Sequence, residues 1–218
     1  MSKCVLIAPL HWGLGHATRC IPLIKQQLEL GNHVIVAANK GPRAILESRF
    51  HGIEFIDIPF MEITYPKDGN MPKHFFITGP RLLRSIWQEH KALQREVRQR
   101  NVDLVISDSR FGLWTSKAKS IFMTHQVQIM RPVFQGLINW LNRWVMSRYD
   151  EVWIPDYEKA PGLAGDLSHP HRLPINARYI GPLSRFEVPL VKRPIKWDAI
   201  AIISGPEPQR SLFEAELA

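Results

Sequence analysis

Two glycines and a histidine stand between an apolar run and a helix-forming stretch, in the segment His-Trp-Gly-Leu-Gly-His-Ala-Thr-Arg at residues 11–19. Backbone N–H groups at the start of a helix attract anions, and glycine lets a ligand approach the backbone closely. An imidazole titrates near pH ~6.5, so a histidine at this place can accept a proton at neutral pH. The segment indicates a site for a polar or anionic ligand with His16 as its base. A tight turn that simply needs glycine is the alternative.

A carboxylate completes the predicted catalytic pair. Asp108 ends the apolar segment 102–108, and at the carboxyl end of a strand it can orient His16 or hold a hydroxyl group of a ligand. The alternative is that Asp108, with Ser107 or Ser109, caps the start of a helix.

Residues predicted to bind a substrate surround this pair. Arg110 can neutralise a phosphate or pair with Asp108, and Arg19 lies in the first helical turn, near any bound anion. His125 and Gln126 end another predicted strand, so they point towards the same edge of the sheet. The alternative for Arg19 is a solvated arginine on the surface. The alternative for His125 and Gln126 is a polar turn. The predicted binding residues are Gly13, Leu14, Gly15, Thr18, Arg19, Arg110, His125 and Gln126.

Short apolar runs alternate with helical stretches and must position these side chains. The predicted elements are strands at 5–10, 33–38, 54–59, 102–108, 120–126, 151–155 and 177–183, helices at 17–30, 42–50, 80–100 and 132–149, and loops at 61–72 and 156–176. Pro80 is expected in the first turn of the third helix. This alternation predicts an α/β fold, a Rossmann-like doubly wound and mostly parallel sheet covered on both faces. Ligands of such sheets bind beyond the carboxyl ends of the strands.

The composition changes near residue 187 of this 218-residue chain. Prolines and basic residues predict a linker at 187–197 after a first domain at 1–186. The apolar run 198–205 predicts a buried strand that opens a second α/β unit at 198–218. Because the sequence stops within a helical pattern, we expect residues 198–218 to be the truncated start of that unit.

The charge balance favours anionic partners. The 28 lysines and arginines exceed the 20 aspartates and glutamates, a formal net charge of +8. The basic residues follow no helix-turn-helix, zinc-finger or RNA-binding pattern, so no nucleic-acid partner is expected. No metal-ligand spacing occurs, so no bound metal is expected. The two cysteines, the lack of a signal peptide and the lack of an apolar run of about 18 residues predict a cytoplasmic protein.

Tryptophans and arginines are frequent along the predicted helix 132–149, and its apolar residues cover more than one face. A basic amphipathic surface of this kind can lie on an anionic bilayer, which would make the protein peripheral at the inner face of the membrane. Burial against the sheet or against a partner domain is the alternative.

The glycine-rich turn does not fit a dinucleotide site. Such a site requires the pattern Gly-x-Gly-x-x-Gly and an acidic residue at the end of the second strand. Gly13 and Gly15 fit, but Thr18 takes the place of the third glycine, and Asn39 or Lys40 takes the place of the acid. The turn therefore disfavours a nicotinamide cofactor.

Gly13, Gly15 and His16, followed by a helix with Thr18, Arg19 and Pro22, resemble the first turn of GT-B glycosyltransferases. The resemblance is to the glycosyltransferase family 28 group, which includes the bacterial peptidoglycan N-acetylglucosaminyltransferase. The segments 103–112 and 204–210 are similar to that fold's acid-containing loop and to the first turn of its second domain. The resemblance implies two Rossmann-like domains that face a cleft, one for the acceptor and one for the donor.

The activity implied by this resemblance is sugar transfer from a nucleotide-sugar, UDP-linked, to a small-molecule or lipid-linked acceptor. The chain would hold mainly the acceptor side and would be inactive alone. No cofactor is implied beyond the co-substrate. The implied donor-binding residues are Ser204, Gly205, Glu207 and Gln209. A nucleotide-sugar epimerase or hydrolase of the same fold and a non-catalytic nucleotide- or phosphate-binding module remain alternatives.

Overall fold

The structure is a computed structural model that describes residues 2–11, 14–60, 71–130, 135–186, 197–198, 200–203 and 209–217, with the backbone alone at 71–78, 209 and 217. The chain forms two compact units, Met1–Arg185 and Phe186–Ala218. Across these described residues, no helix is long and apolar enough to cross a membrane.

The first unit is built on a seven-stranded parallel sheet. Its strands are β1 (Cys4–Ala8), β2 (His33–Ala37), β3 (Glu54–Ile56), β4 (Leu104–Asp108), β5 (Lys119–Met123), β6 (Glu151–Ile154) and β7 (Ala177–Tyr179). They lie side by side in the order β3-β2-β1-β4-β5-β6-β7, and every neighbouring pair is parallel. The predicted α/β, Rossmann-like fold class is confirmed.

Helices cover both faces of the sheet. They are α1 (Leu14–Glu29), α2 (Lys40–Arg49), α3 (Met71–Arg100) and α4 (Gln135–Met146), and a short 3₁₀ turn spans Gly165–Leu167.

Alternate residues of each strand supply two separate cores. In β1, Val5 and Ile7 pack in the core that contains buried residues of α1 and α2, whereas Leu6 and Ala8 pack in the core that contains buried residues of α3. Phe122 of β5 faces a third cluster with Met146 of α4, on the same side of the sheet as α3. The strands are apolar on both sides because both sides are covered.

The sequence misplaces the start of α3. Pro80 was expected in the first turn, but the helix begins at Met71, and Pro80 lies inside it. Proline is tolerated without cost only at the start of a helix, and Pro72 occupies that place here. The loop predicted at 61–72 therefore ends at residue 70 at the latest, and residues 61–70 lie outside the described part of the chain.

In the second unit, the structure describes one helix, α5 (Gln209–Leu217). The prediction of a buried strand at 198–205 is wrong for residues 200–203, which the structure describes. Residues 200–203 form no strand, and the side chains of Ile200 and Ile202 are 71% and 88% exposed. An apolar run is buried as a strand only where neighbouring strands or helices cover it, and the described residues of this unit supply no such cover.

Candidate active site

The candidate site lies where the direction of strand order reverses. From the central strand β1 the chain adds β2 and β3 on one side, and it then returns to add β4 and the later strands on the other side. Ala8 of β1 is paired with Ser107 of β4, so the carboxyl ends of these two strands are adjacent. This reversal point is where ligands bind in doubly wound sheets.

A histidine and a carboxylate meet at this point. The Nδ1 atom of His16, in the first turn of α1, lies 3.0 Å from Oδ2 of Asp108, the last residue of β4. The Asp108 side chain is fully buried, whereas that of His16 is 16% exposed. The pair therefore has a closed carboxylate end and an imidazole that reaches solvent.

Arg19 closes the carboxylate end of this pair. Its Nε donates to Oδ2 of Asp108 at 2.7 Å, and its Nη2 forms an ion pair with Oδ1 of the same carboxylate. Such a two-pronged contact is the strongest ion-pair geometry that arginine offers. One helical turn separates Arg19 from His16, so both side chains face the same strand end.

The charge state of Asp108 follows from these neighbours. Burial by itself raises the pKa of a carboxyl, but the hydrogen bond from His16 and the positive charge of Arg19 outweigh it, and the pKa of Asp108 lies below its ordinary value. Asp108 is therefore a carboxylate at neutral pH.

Two neighbours compete for one nitrogen of His16. Nη2 of Arg19 lies 2.7 Å from Nδ1 of His16, the same atom that faces Asp108 at 3.0 Å. If Nδ1 carries the proton, it donates to Asp108, and Nε2 is left with a lone pair that can accept a proton from a ligand. If Nδ1 accepts from Arg19, Nε2 carries the proton and cannot act as a base.

His125 is the fourth member of the cluster. It follows β5 by two residues, and Nη1 of Arg19 donates to its Nδ1 at 3.0 Å. Arginine has no acceptor, so Nδ1 of His125 holds the lone pair and Nε2 holds the proton. Burial and the charge of Arg19 lower the pKa of His125, which keeps the ring neutral.

The structure corrects the prediction for Arg110. Its side chain is fully buried, where its Nε donates to Glu89 of α3 at 2.5 Å and its other nitrogens donate to the carbonyl oxygens of Ala37, Ile58 and Pro59. The guanidinium thus reaches neither a ligand phosphate nor Asp108. Its contacts tie α3 to the carboxyl ends of β2 and β3.

The remaining predicted residues are distributed around the turn. Leu14 and Gly15 are exposed at the start of α1, and the Thr18 hydroxyl donates to the carbonyl of Gly15 at 3.0 Å. Gln126 is exposed in the loop after β5 rather than in a strand, and its backbone N–H donates to the Thr124 hydroxyl. The predicted residues Gly13, Ser204, Gly205 and Glu207 and the side chain of Gln209 lie outside the described part of the chain.

Asp108 does not cap a helix, which was the alternative for that residue. The next residue, Ser109, has a positive φ of 56°, and its N–H continues the ladder to the carbonyl of Met123. The ion pair between Arg19 and Asp108 was not predicted from the sequence. The signal was present, because an arginine three residues after His16 must face the same strand end as the histidine.

The candidate site contains one carboxylate, two imidazoles and one guanidinium. Over the residues whose positions are described, no group of three or more histidine, cysteine, aspartate or glutamate side chains could hold a metal ion. A buried carboxylate beside an imidazole that is partly exposed to solvent is an arrangement that can transfer a proton when Nδ1 of His16 carries the hydrogen.

No family model and no curated protein matches this chain. Several solved structures are similar to it. MurG from Acinetobacter baumannii is 12% identical over 83% of this chain and 45% of that chain, with a TM-score of 0.47. The glycosyltransferase SnogD from Streptomyces nogalater is 18% identical over 71% of this chain and 46% of that chain, with a TM-score of 0.45.

A protein from Listeria monocytogenes that is assigned as a UDP-N-acetylglucosamine 2-epimerase is also similar. It is 11% identical over 81% of this chain and 44% of that chain, with a TM-score of 0.48. The chain thus spans less than half the length of each of these three proteins. Several of the similar structures are glycosyltransferases, and at these identities the likeness is one of fold.

Proposed function

We propose that this chain is the acceptor-binding part of a glycosyltransferase, in which His16 removes a proton from a hydroxyl group of the acceptor. The observation that carries the proposal is the 3.0 Å contact between Nδ1 of His16 and the fully buried carboxylate of Asp108. The pair stands at the strand ends where ligands of this fold bind. The resemblance of the turn at 11–19 to GT-B enzymes supports the same class.

The proposed step is a displacement at the anomeric carbon of a nucleotide-sugar. The acceptor oxygen forms a bond to that carbon, the bond from the carbon to the diphosphate breaks, and the acceptor proton moves to Nε2 of His16. Asp108 accepts the Nδ1–H of His16, which holds the tautomer with a free Nε2 and stabilises the imidazolium that forms. The proposed reaction uses no resident cofactor or metal ion.

Arg19 has a positioning role in this proposal. It keeps Asp108 ionised and in place through two contacts, and it fixes His125 with Nε2–H as a donor. That donor can hold an acceptor oxygen beside His16. Gly13, Leu14, Gly15 and Thr18 would line the acceptor site at the start of α1, together with Gln126.

The donor side of the proposal concerns residues outside the described part of the chain. We propose a UDP-linked sugar as the donor, contacted by Ser204, Gly205, Glu207 and Gln209, and a small-molecule or lipid-linked acceptor, in a cytoplasmic protein. An epimerase or hydrolase acting on the same nucleotide-sugar is the second candidate, because one similar structure carries an epimerase assignment.

The test uses the native protein purified from its source, with UDP-glucose, UDP-galactose and UDP-N-acetylglucosamine as probes. The transferase predicts release of UDP that requires an added hydroxyl acceptor and that is lost in the His16→Ala variant. Release of UDP without any acceptor, or a rearranged sugar, would assign the chain to the hydrolases or epimerases instead. Binding of UDP to residues 1–218 alone at sub-micromolar concentration would contradict the proposed division into acceptor and donor sides.

A further inference from the structure

A second buried carboxylate lies at the same edge of the sheet as Asp108. Asp156 follows β6 by two residues and is fully buried. Its two oxygens accept four hydrogen bonds at 2.6–3.0 Å, from the N–H groups of Tyr157, Leu163 and Ala164 and from the hydroxyl of Ser168. All four donors belong to the segment 157–168, which we call the β6 loop. The carboxylate is therefore the point around which this loop folds.

Asp156 is ionised at neutral pH. Burial by itself raises the pKa of a carboxyl, but the hydrogen bonds from the Ser168 hydroxyl and from three backbone N–H groups outweigh it, and the pKa of Asp156 lies well below its ordinary value. Hydrogen bonds to a charged group are about twice as strong as those between neutral groups. Asparagine would keep the size of the side chain, but its NH₂ group would face donors in place of one oxygen.

The β6 loop is shaped to fit this carboxylate. Gly162 has a positive φ of 60°, and a Cβ atom there would lie 2.6 and 2.7 Å from the two oxygens of Asp156. Only glycine lets the backbone pass so close. On the far side, Nε2 of His169 donates to the carbonyl of Tyr157 at 3.1 Å, and its ring stacks on that of Tyr179 in β7. These contacts hold the loop in one conformation.

Asp156, Ser168 and His169 have the residue types of a hydrolase triad, but their arrangement excludes that role. Ser168 is fully buried, and its hydroxyl lies 2.6 Å from the carboxylate itself. Nε2 of His169 faces backbone carbonyls. A nucleophilic serine needs access to its substrate and a histidine that is free to take its proton. The three residues therefore organise the loop.

The β6 loop holds the backbone that follows His125. The carbonyl of Leu167 accepts the N–H of Val127 at 2.9 Å and that of Gln128 at 3.0 Å. Leu167 directly precedes Ser168, whose hydroxyl the carboxylate holds. Because both bonds run to one oxygen, a displacement of the loop breaks them together.

Helix α4 supports the same segment from another side. Asn142, which is buried, donates to the carbonyls of Gln126 and Val127 at 3.1 and 3.2 Å. The next residue towards β5 is His125, whose Nδ1 accepts from Nη1 of Arg19 at 3.0 Å. The direction of the His125 ring therefore depends on a backbone that α4 and the β6 loop hold between them.

We propose that Asp156 is a positioning residue of the candidate site. Through the β6 loop it keeps the imidazole of His125 on Arg19, with Nε2–H directed towards the oxygen of the sugar acceptor. The inference rests on the proposed function for the role of that N–H. The position of the ring itself is measurable without any turnover.

The first measurement is ¹⁵N NMR of the histidine rings near pH ~7. His125 is expected to show one fixed tautomer, with Nε2–H, in the unchanged protein. Asp156→Asn is expected to give the averaged signal of both tautomers, because the ring leaves Arg19. Asp150→Asn is the matched control. Asp150 accepts the N–H of Ser120 at 2.7 Å at the opposite end of β6, so its loss should leave the His125 signals unchanged.

The second measurement is the rate of UDP release by variants of the native protein at varied concentrations of the sugar acceptor. Asp156→Asn is expected to lower kcat/KM for the acceptor roughly 10–10²-fold, because a donor displaced by about 1 Å no longer orients the hydroxyl. In a His125→Ala background the same change should lower kcat/KM little further, since the donor is already absent. A residue that only stabilises the fold would show no such dependence on His125.

Ser168→Ala keeps the proposal testable if Asp156→Asn does not fold, because it removes one of the four hydrogen bonds and should shift His125 in the same direction by less. Unchanged His125 signals in the folded variant, an equal change in Asp150→Asn, or losses in kcat/KM that simply multiply with that of His125→Ala would overturn the proposal. Release of UDP without any acceptor would contradict the proposed function instead, and the NMR comparison would still decide whether Asp156 positions His125.

Discussion

Nδ1 of His16 and Oδ2 of Asp108 lie 3.0 Å apart although 92 positions separate the two residues in the chain. The parallel pairing of β1 with β4 creates this contact, because it brings the start of α1 and the end of β4 to one edge of the sheet. In the proposed reaction this pair acts as a unit, and the carboxylate sets the tautomer of the imidazole.

The first prediction tests that unit with a double-mutant cycle. Asp108→Asn is expected to lower turnover by roughly 10²–10³, because an amide no longer holds Nδ1–H of His16 as a carboxylate does. Adding Asp108→Asn to His16→Ala should lower turnover little further, since both changes remove the same function. Turnover is measured as the rate of UDP release. Fully multiplicative losses would show that the two residues act independently.

The second prediction concerns His125. Burial lowers its pKa, and the charge of Arg19 lowers it further, so Arg19→Gln is expected to raise the pKa of His125. The measurement is an NMR titration of the histidine ring signals. Arg43→Gln, at an arginine of α2 that pairs with Glu47, is the matched control and should leave His125 unchanged. An unaltered pKa in Arg19→Gln would remove Arg19 from the surroundings of that ring.

The third prediction concerns stability in acid. The pKa of Asp108 is lower in the folded protein than its ordinary value of ~3.9, so the folded state favours the carboxylate. Its contribution to the free energy of unfolding is complete above that ordinary value and is lost as pH falls through the lower, folded pKa. Urea unfolding at a series of pH values should show a steeper acid loss in the unchanged protein than in Asp108→Asn. Parallel curves would contradict the assignment.

The fourth prediction concerns the buried pair of Arg110 and Glu89. Glu89→Gln leaves the Arg110 guanidinium buried without its counter-ion, which is expected to lower the free energy of unfolding by about 3–5 kcal/mol. Glu47→Gln breaks a surface pair with Arg43, and it is expected to change the free energy of unfolding far less, because solvent screens that pair. Urea unfolding measures both. Similar small losses in the two variants would mean that the buried pair contributes no more than a surface pair.

Arg110 shows why part of the site could not be predicted from the sequence. It stands two residues after Asp108, a spacing that in a regular strand places both side chains on one face. The positive φ of Ser109 turns the chain, and Arg110 enters the interior on the side of α3 instead. The left-handed conformation of a serine has no signature in the sequence, and neither does the choice of Glu89 as the partner.

The parts of the fold that were predictable rest on local patterns. The apolar strands and the intervening helices follow from periodicity, and the parallel sheet follows from their alternation. His16 and Asp108 were placed together by one rule, that residues at or just after the carboxyl ends of parallel strands share an edge of the sheet. The helix pattern of α4 left open whether its tryptophans are buried. Trp140 and Trp144 are exposed, and the inward contacts are made by Asn139 and Asn142, a choice that has no local signal in the sequence.

The central claim is tested most directly by the turnover of His16→Ala, compared with that of His51→Ala, a change at an exposed histidine away from the site. In the protein as its source cell makes it, with a UDP-sugar and a hydroxyl acceptor, loss of the base is expected to lower turnover roughly 10²–10⁴-fold. The His51→Ala protein should keep the original rate. Unchanged turnover in folded His16→Ala would contradict the account, because proton removal would then not depend on this imidazole.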